Sequence, residues 1–190
     1  MKVGVLALQG DFREHIKAAT ECGHLAMEVR RASELSEIDA LILPGGESTT
    51  IIHLAQSFDL YEPIKEVIAK GLPVYGSCAG MILLADRIVG GIAGQKTFGG
   101  LDITVRRNAF GRQVDSFESD LEFNGASLHA VFIRAPWVEE VGKSVQVLST
   151  AGEHAVAVRE GNLLATSFHP ELTHDLAVHR YFFDEICKGR

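Results

Sequence analysis

The chain has 190 residues, which suits one domain with a full-sized hydrophobic core, and hydrophobic residues make up 46% of it. Its net charge of −7 argues against a nucleic-acid-binding surface. Every apolar run is shorter than the roughly 18 residues that a transmembrane helix needs, so the sequence gives no sign of a membrane-spanning helix.

The first half of the chain predicts strands and helices in alternation. Residues 3–8 form a continuous apolar run, which is typical of a strand buried on both faces of a parallel sheet. Asp11 can cap a helix over residues 12–21, which Gly23 would end. The further expected strands cover residues 27–30, 39–43 and 72–77, and the further helices run from Ser48 or Thr49 to Gln56, over 61–70 and over 79–86. This order predicts a parallel α/β sheet with helices on both faces.

The second half, from about Gly90, predicts a smaller set of antiparallel strands beside the parallel core. These strands are expected at residues 101–106, 113–118, 129–134, 145–149 and 155–159. A strand over residues 163–167 returns to the core, and a helix over 175–187 closes the chain. Because no repeat, low-complexity tract or linker divides the sequence, we expect a single domain over residues 1–190.

Cys78 is the candidate nucleophile. It lies in Gly76-Ser77-Cys78-Ala79-Gly80, which follows an apolar strand and has the pattern of a sharp strand-to-helix turn with a nucleophile at its centre. Small neighbours let the backbone bend, and the free N–H groups of the following helix favour the reactive thiolate. The N–H of Ala79 can also face a developing oxyanion. The alternative is a buried structural cysteine, which is what we expect of Cys22 and Cys187 on predicted helices.

His169 is the candidate base, and Glu171 is the candidate orienting carboxylate. They lie in Ser167-Phe168-His169-Pro170-Glu171, directly after the last predicted strand. A carboxylate that accepts a hydrogen bond from one ring nitrogen fixes the tautomer of the imidazole, so the other nitrogen can serve the nucleophile. The other histidines have no companion of this quality, and no metal site is expected among them: His15, His24, His53, His129, His154, His174 and His179.

A glycine-rich loop and several arginines are candidates for substrate binding. In residues 43–50 (LPGGESTT), adjacent glycines expose backbone N–H groups that can hold an anion or an oxyanion, or they can simply form a tight turn before a capped helix. The guanidinium group of Arg106, Arg107 or Arg134 can bind a substrate carboxylate in a bidentate manner. Solvated surface side chains are the alternative for these arginines.

The three cysteines make a disulfide framework or a zinc–thiolate site improbable, because their number is odd and their spacing shows no pairs. A reducing cytoplasm is therefore the expected compartment. The apolar start of the chain is short and is followed at once by charged residues, so it is expected to be a strand rather than a signal peptide.

The thiol turn and the His-Pro-Glu segment resemble those of the class I (triad) glutamine amidotransferases. Further segments resemble the glutaminase subunits of pyridoxal 5′-phosphate synthases: residues 8–10 (LQG), 43–50 (LPGGESTT), 108–118 (NAFGRQVDSFE), 131–136 (VFIRAP) and 167–173 (SFHPELT). The resemblance spans nearly the whole chain. It departs from the wider family after the thiol turn, where Met81 and Ile82 replace the usual glutamine.

This resemblance implies a three-layer α/β fold and the hydrolysis of L-glutamine to L-glutamate and ammonia. It implies no cofactor, and it implies a hetero-oligomer with a synthase (lyase) subunit that receives the ammonia and builds pyridoxal 5′-phosphate. It also implies that the loop over residues 44–48 aims its N–H groups correctly only when the synthase docks.

Carried over residue by residue, the resemblance implies that Cys78 is the nucleophile and that His169 and Glu171 are its charge-relay partners. It implies that the N–H groups of Gly46 and Ala79 form the oxyanion hole. The residues implied to line the glutamine pocket are Gly46, Glu47, Ser48, Arg107, Ile133 and Arg134.

Three other functions remain open at this point. One is the glutaminase subunit of a different amidotransferase that channels ammonia, such as imidazole glycerol phosphate synthase. Another is a cysteine-dependent hydrolase or deglycase of the same broad fold class, and the last is a binding module whose thiol is inert.

Overall fold

The computed structural model describes residues 1–109 and 116–189. Its strands in chain order are β1 (Lys2–Leu6), β2 (Leu25–Val29), β3 (Ala40–Leu43), β4 (Val74–Ser77), β5 (Ala85–Val89), β6 (Leu101–Arg106), β7 (Ser116–Phe123), β8 (Ala126–Ile133), β9 (Trp137–Val141), β10 (Gln146–Ala151), β11 (His154–Glu160) and β12 (Leu163–Thr166). Its α-helices are α1 (Phe12–Glu21), α2 (Ser48–Ser57), α3 (Tyr61–Ala69), α4 (Ala79–Leu84) and α5 (Ala177–Tyr181). Short 3₁₀ helices cover Ala32–Glu37 and Pro170–Leu172, and a π-helical stretch covers Phe182–Ile186.

A large central sheet joins both halves of the chain. Its strand order is β2-β1-β3-β4-β12-β11-β9-β6-β5, with β10 also paired to β11. The strands from β2 to β12 run parallel, while β11 is antiparallel to β12, β9 and β10, and β6 is antiparallel to β9. The β7–β8 hairpin forms a separate antiparallel pair. The predicted parallel core with a smaller antiparallel set is therefore confirmed.

Helices cover both faces of this sheet because each central strand is apolar on both sides. Leu41 and Leu43 of β3 pack into a cluster with α2, α3 and α4, while Ile42 of the same strand packs on the opposite face. That opposite face is covered by α1, α5 and the β7–β8 hairpin. Such two-sided burial is the reason that the parallel strands are continuous apolar runs in the sequence.

The strand register brings the three candidate segments together. Leu43 pairs with Gly76, and Ser77 pairs with Thr166, so β3, β4 and β12 end side by side. The glycine loop, Cys78 and His169 follow the carboxyl ends of these three neighbouring strands. In open α/β sheets this edge is where ligands bind.

Two strands were not expected from the sequence. The predicted helix over 79–86 ends at Leu84, and β5 begins at once, because the carbonyl of Leu83 accepts hydrogen bonds from the N–H groups of Phe98 and Gly99 instead of continuing the helix. Strand β9 was also missed. It pairs with β6 although two consecutive residues of the strand, Glu139 and Glu140, are exposed carboxylates.

Other boundaries also differ from the expectation. Residues 113–115 of the strand predicted over 113–118 lie outside the described residues, and β7 continues to Phe123. The closing helix is divided into α5 and a π-helical stretch. Glu47, not Ser48 or Thr49, is the N-cap of α2, and Asp11 occupies the N-cap of α1 without a side-chain capping bond. None of the helices in the described part of the chain is long and apolar enough to cross a membrane.

Candidate active site

Cys78 stands on a strained turn between β4 and α4. Its φ of 48° and ψ of −100° lie in a region that non-glycine residues rarely adopt, and its N–H donates to the carbonyl of Thr166 at 2.8 Å. A Cβ on Gly76 would lie 2.4 Å from the carbonyl oxygen of Gly80, and one on Gly80 would lie 2.2 Å from that of Leu43. Both flanking glycines are therefore required by close backbone packing. Strained backbone of this kind is concentrated at functional sites.

His169 and Glu171 form a buried hydrogen-bonded pair. The Nδ1 of His169 is 2.7 Å from Oε1 of Glu171, and the 3₁₀ turn over Pro170–Leu172 brings the two side chains together. The backbone N–H of His169 donates to the carbonyl of Val131 at 2.9 Å, which ties this segment to β8. The buried Nε2 of His169 forms no hydrogen bond with any described residue, so it is the nitrogen that is free to exchange a proton.

The charges around this pair favour an ionised carboxylate and an imidazolium. Burial on its own would raise the pKa of Glu171, but His15 and His169 outweigh it and lower that pKa well below its usual range. Burial works against protonation of His169, but its interactions with Cys78 and Glu171 outweigh this and raise the pKa of His169. A thiolate next to an imidazolium is the resting form that cysteine nucleophiles need.

The glycine loop after β3 is held against the N-terminal segment of the chain. The carbonyl of Gly45 accepts a hydrogen bond from the N–H of Asp11 at 3.2 Å, and the side chain of Gln9 accepts one from the N–H of Glu47 at 2.7 Å. A Cβ on Gly46, whose φ is 149°, would lie 2.5 Å from that same side-chain oxygen of Gln9. A side chain at Gly46 would therefore displace Gln9 from this hydrogen bond.

The N–H groups of Gly46 and Ala79 are the candidate oxyanion donors. Neither forms a hydrogen bond with another described residue, and both residues line the same pocket as Cys78. Free backbone N–H groups beside a nucleophile are suited to a developing oxyanion.

A pocket of about 380 Å³ opens in front of Cys78 and His169. Pockets of this volume are typical of sites for small molecules. All the residues that the sequence implied for glutamine binding line this pocket: Gly46, Glu47, Ser48, Arg107, Ile133 and Arg134. Gln9, Gly10, Asp11, Ile82 and Asn108 also line it and were not assigned to substrate binding from the sequence.

Polar side chains in one wall of the pocket form a continuous network. Arg107 donates from Nη2 to Oε1 of Glu47 at 2.8 Å and from Nη1 to Oε1 of Gln95 at 2.7 Å, and Gln95 donates to Oγ of Ser48 at 3.0 Å. Burial on its own would raise the pKa of Glu47, but hydrogen bonds from Thr49 and Thr50 outweigh it and hold the pKa at about 2. Glu47 is therefore a carboxylate at any ordinary pH.

The two adjacent arginines have different environments. Arg106 pairs with Glu139 on the exposed face of β6, so the expectation of a surface side chain holds for it. The side chain of Arg107 is only 15% exposed and lies in the pocket wall. Arg134 follows β8 with a φ of 44° and also lines the pocket.

Sequence patterns did not reveal a group of buried polar residues behind the candidate triad. His15 and His179, which had no evident companion in the sequence, are fully buried and lie against each other and against the Glu171 side of the site. Ser77 joins them, with Oγ at 2.9 Å from Nε2 of His15. The available signal was weak, because a histidine on the apolar face of a helix also fits an ordinary core position.

Asp11, His169 and Glu171 have ligand atoms within 4.8 Å of one another, which is a spacing that a metal ion could bridge. The Nδ1 of His169 is already within hydrogen-bond distance of Glu171, however. A catalytic triad uses a bond of this kind between its histidine and its carboxylate. The geometry therefore fits acid–base chemistry with a thiol nucleophile.

Comparison with protein families matches residues 5–188 to the SNO glutamine amidotransferase family. The pyridoxal 5′-phosphate synthase subunit PdxT of Parafrankia sp. (strain EAN1pec) is 61% identical over 188 residues, which is 97% of this chain and 93% of the relative. The PdxT subunit of Mycobacterium ulcerans (strain Agy99) is 60% identical over 194 aligned positions, which cover 100% of this chain and 98% of the relative.

Solved structures show the same fold. A crystal structure of a glutamine amidotransferase superposes with a TM-score of 0.91 at 51% identity and covers 96% of this chain and 97% of its own. The structure of PurLQS from Thermotoga maritima superposes with a TM-score of 0.71 at 15% identity, with coverage of 96% and 97%. At that identity the second likeness concerns the fold alone.

Proposed function

The chain belongs to the SNO glutamine amidotransferase family, and we propose that it is the glutaminase subunit of a pyridoxal 5′-phosphate synthase. In this role it hydrolyses L-glutamine to L-glutamate and ammonia. The observation that carries the proposal is the convergence of Cys78, His169 and the loop around Gly46 on one pocket at the carboxyl edge of the sheet.

The first half of the reaction forms a thioester. The thiolate of Cys78 attacks the carbon of the side-chain amide of glutamine, and the N–H groups of Gly46 and Ala79 stabilise the oxyanion that results. The imidazolium of His169 gives its Nε2 proton to the amide nitrogen, the carbon–nitrogen bond breaks, and ammonia leaves. Loss of one oxyanion donor typically costs about 3 kcal/mol, or roughly 10²-fold in rate.

The second half of the reaction returns the enzyme to its starting state. The Nε2 of His169, now neutral, takes a proton from a water molecule, and the resulting hydroxide attacks the thioester carbon. The tetrahedral intermediate collapses, the carbon–sulfur bond breaks, and glutamate leaves as the thiolate of Cys78 is restored. Glu171 keeps the proton of Nδ1 in place during both steps.

The charges of the pocket wall suit a free amino acid. The guanidinium groups of Arg107 and Arg134 supply positive charge for the α-carboxylate of glutamine, and the carboxylate of Glu47 supplies negative charge for its α-ammonium group. The side-chain amide then points towards Cys78, past Ile133, whose carbonyl oxygen lies 3.9 Å from the sulfur.

The partner of the chain follows from its relatives. Proteins at 61% and 60% identity are subunits of pyridoxal 5′-phosphate synthases, which favours this pathway over that of imidazole glycerol phosphate. We therefore assign the synthase (lyase) subunit as the partner that docks on this chain and receives the ammonia.

The test is the release of glutamate from L-glutamine by the chain alone and by the chain mixed with a pyridoxal 5′-phosphate synthase subunit. We expect release that rises on addition of the synthase and that disappears in Cys78→Ala. Release that is equally fast without the synthase would contradict the proposed partner. A Cys78→Ala variant as active as the wild type would contradict the proposed chemistry.

A further inference from the structure

A buried polar layer behind Glu171 has no role in the reaction as described so far. The layer consists of His15 on α1, Ser77 at the end of β4 and His179 on α5, and all three residues are 0% exposed. The Nε2 of His15 is 2.9 Å from Oγ of Ser77 and 3.4 Å from Oε2 of Glu171. The Nδ1 of His15 is 3.0 Å from Nε2 of His179.

The contacts of this layer define one consistent arrangement of protons. The Nδ1 of His179 is buried and has no hydrogen-bond partner among the described residues. Burial is the main reason that the pKa of His179 is lowered to about 3, and the neighbouring His15 contributes to it. A buried N–H without an acceptor is rarer than a buried acceptor without a donor, so the single proton of neutral His179 belongs on Nε2. It is then donated to Nδ1 of His15, which leaves the proton of His15 on Nε2, facing Ser77 and Glu171.

Glu171 needs a donor on this side. Its Oε1 already accepts from His169 at 2.7 Å and is 3.4 Å from the hydroxyl of Ser77, whereas its Oε2 is buried and has no hydrogen bond of good geometry among the described residues. A buried carboxylate oxygen without a partner is costly. The Nε2–H of His15, 3.4 Å away, is the donor that faces it.

We propose that His15 is a positioning residue of the glutaminase reaction: its Nε2–H lies against both Oγ of Ser77 and Oε2 of Glu171 and supports the carboxylate from behind, so that Oε1 stays directed at Nδ1 of His169. His179 acts one step further away by fixing the tautomer of His15. This inference deepens the proposed function and rests on it. His15 does not touch the pocket, so its effect falls on the chemical step rather than on the binding of glutamine.

Several other groups face this layer and bear on its pH dependence. From α1, the carboxylate of Asp11 lies 3.6 Å from Nδ1 of His169, and the charge of Glu14 acts on Asp11. From β4, the ring of Tyr75 packs edge-on against both His15 and His179. From the pocket side, Cys78 interacts with His169. Each of these groups is still present when His15 is replaced, so they are common to the variants that are compared.

The experiment compares His15→Gln with His15→Leu in the complex with the synthase subunit. The amide nitrogen of glutamine can stand where Nε2 of histidine stands, whereas leucine fills the space without a donor. We expect the leucine variant to lose roughly tenfold to hundredfold in kcat, with KM within about twofold of the wild type. We expect the glutamine variant to recover most of this loss. His24→Leu, a partly buried histidine that packs on Phe183 away from the site, is the matched control.

The pH profile provides a readout that a packing role would not change. Burial on its own would raise the pKa of Glu171, and the contact with the Nε2–H of His15 helps to lower it, so the loss of this contact makes Glu171 easier to protonate. The acidic limb of kcat should therefore move to higher pH in His15→Leu, and it should move less in His15→Gln.

Two results would overturn the inference: a leucine variant with the kcat and pH profile of the wild type, or a folded glutamine variant as impaired as the leucine variant. If the leucine variant does not fold, the glutamine variant is compared with the wild type, and a folded glutamine variant that has lost about tenfold or more in kcat would overturn the inference. His179→Phe, which removes the donor to His15, should then lower kcat by a few fold. Failure of the proposed function is a separate result, because it would appear as an inactive wild-type complex.

Discussion

The two sides of the His169 ring lie in different environments. The pocket side is open to a cavity of about 380 Å³ lined by charged side chains such as Glu47 and Arg107. The opposite side is buried: the side chains of Glu171 and His15 are both 0% exposed. Residues on the pocket side can be solvated or can bind a substrate, whereas those behind the ring can only hold one another. We therefore expect substitutions in front to affect binding and substitutions behind to affect catalysis, except at the nucleophile.

The largest effect is expected from Cys78→Ala, which removes the proposed nucleophile and leaves the other side chains of the pocket in place. Glutamate release should fall by about 10⁴-fold or more, because an essential nucleophile has no substitute among its neighbours. Calorimetric titration should still detect the binding of glutamine. Cys22→Ala, at the end of α1, is the control and should keep wild-type activity.

Glu171→Gln should be almost as severe, since it removes charge from the buried side of the ring. An amide in place of the carboxylate lets His169 adopt the wrong tautomer, and we expect kcat to fall by about 10³- to 10⁴-fold. KM should change by less than about threefold, because Glu171 does not line the pocket. A rise in KM with an unchanged kcat would contradict the assignment of Glu171 to the buried side.

Gly45→Ala tests how closely the loop packs on the ring. An added Cβ would lie 2.5 Å from Cε1 and 2.9 Å from Nδ1 of His169, so the ring must shift. A shift of this size in a reacting group can cost roughly 10²-fold in rate, and steady-state kinetics should show it in kcat. Gly152→Ala is the comparison variant: its φ of 59° strains the backbone of an alanine, but the added Cβ would meet nothing within 4 Å and lies away from the pocket. Equal kinetic constants for the two variants would show that the loop backbone moves to accommodate the Cβ and that the His169 ring keeps its position.

Gln95→Ala should change binding on the pocket side. Arg107 would lose one of its two acceptors and Ser48 would lose its donor. We expect KM for glutamine to rise roughly fivefold to tenfold while kcat stays within about twofold. Gln56→Ala, an exposed glutamine on α2, is the matched control. A fall in kcat at constant KM would reverse the assignment of this wall to substrate binding.

The smallest effect concerns the pH dependence of the free energy of unfolding. The pKa of Glu171 is lowered in the folded protein, so its stabilising contribution is complete above the usual value of 4.5 and is lost as the pH falls below it. Urea unfolding at pH 3.5 to 7 should therefore show a steeper loss of stability in acid for the wild type than for Glu171→Gln. Parallel curves would indicate that Glu171 is not ionised in the folded state.

The sequence was sufficient to predict which candidate groups would lie together at one edge of the sheet. Cys78, His169 and the loop around Gly46 each follow an apolar strand directly, and parallel strands end at one edge of the sheet. Local pattern and strand direction thus determined which groups meet. Their mutual distances depended on the register of β3, β4 and β12, which the sequence does not specify.

The buried layer behind the proposed triad could not be predicted in the same way. His15 and His179 are 164 positions apart, and they meet only because α1 and α5 cover the same face of the sheet. In the sequence each stands on the apolar side of a helix, where a buried residue of any kind would fit. Long-range packing of helices on a sheet, rather than a local motif, created this contact.

Strands β5 and β9 were missed for a different reason. The run from Met81 to Ala85 is apolar throughout, so nothing in its pattern marks the end of α4, and the end is set by hydrogen bonds from the loop at Phe98. In β9, Glu139 pairs with Arg106 on the neighbouring strand. A charged position in a strand is tolerated where a cross-strand partner neutralises it.

The most direct test of the account is covalent labelling with a glutamine analogue that carries a diazoketone in place of the side-chain amide. Peptide mass spectrometry of the chain, bound to the synthase subunit, should show one adduct on Cys78 and none on Cys22 or Cys187. L-Glutamine should slow the labelling, and Glu171→Gln should slow it strongly. Labelling of another cysteine, or labelling of Cys78 that is indifferent to both glutamine and Glu171, would contradict a pocket-facing nucleophile held from behind by a buried carboxylate.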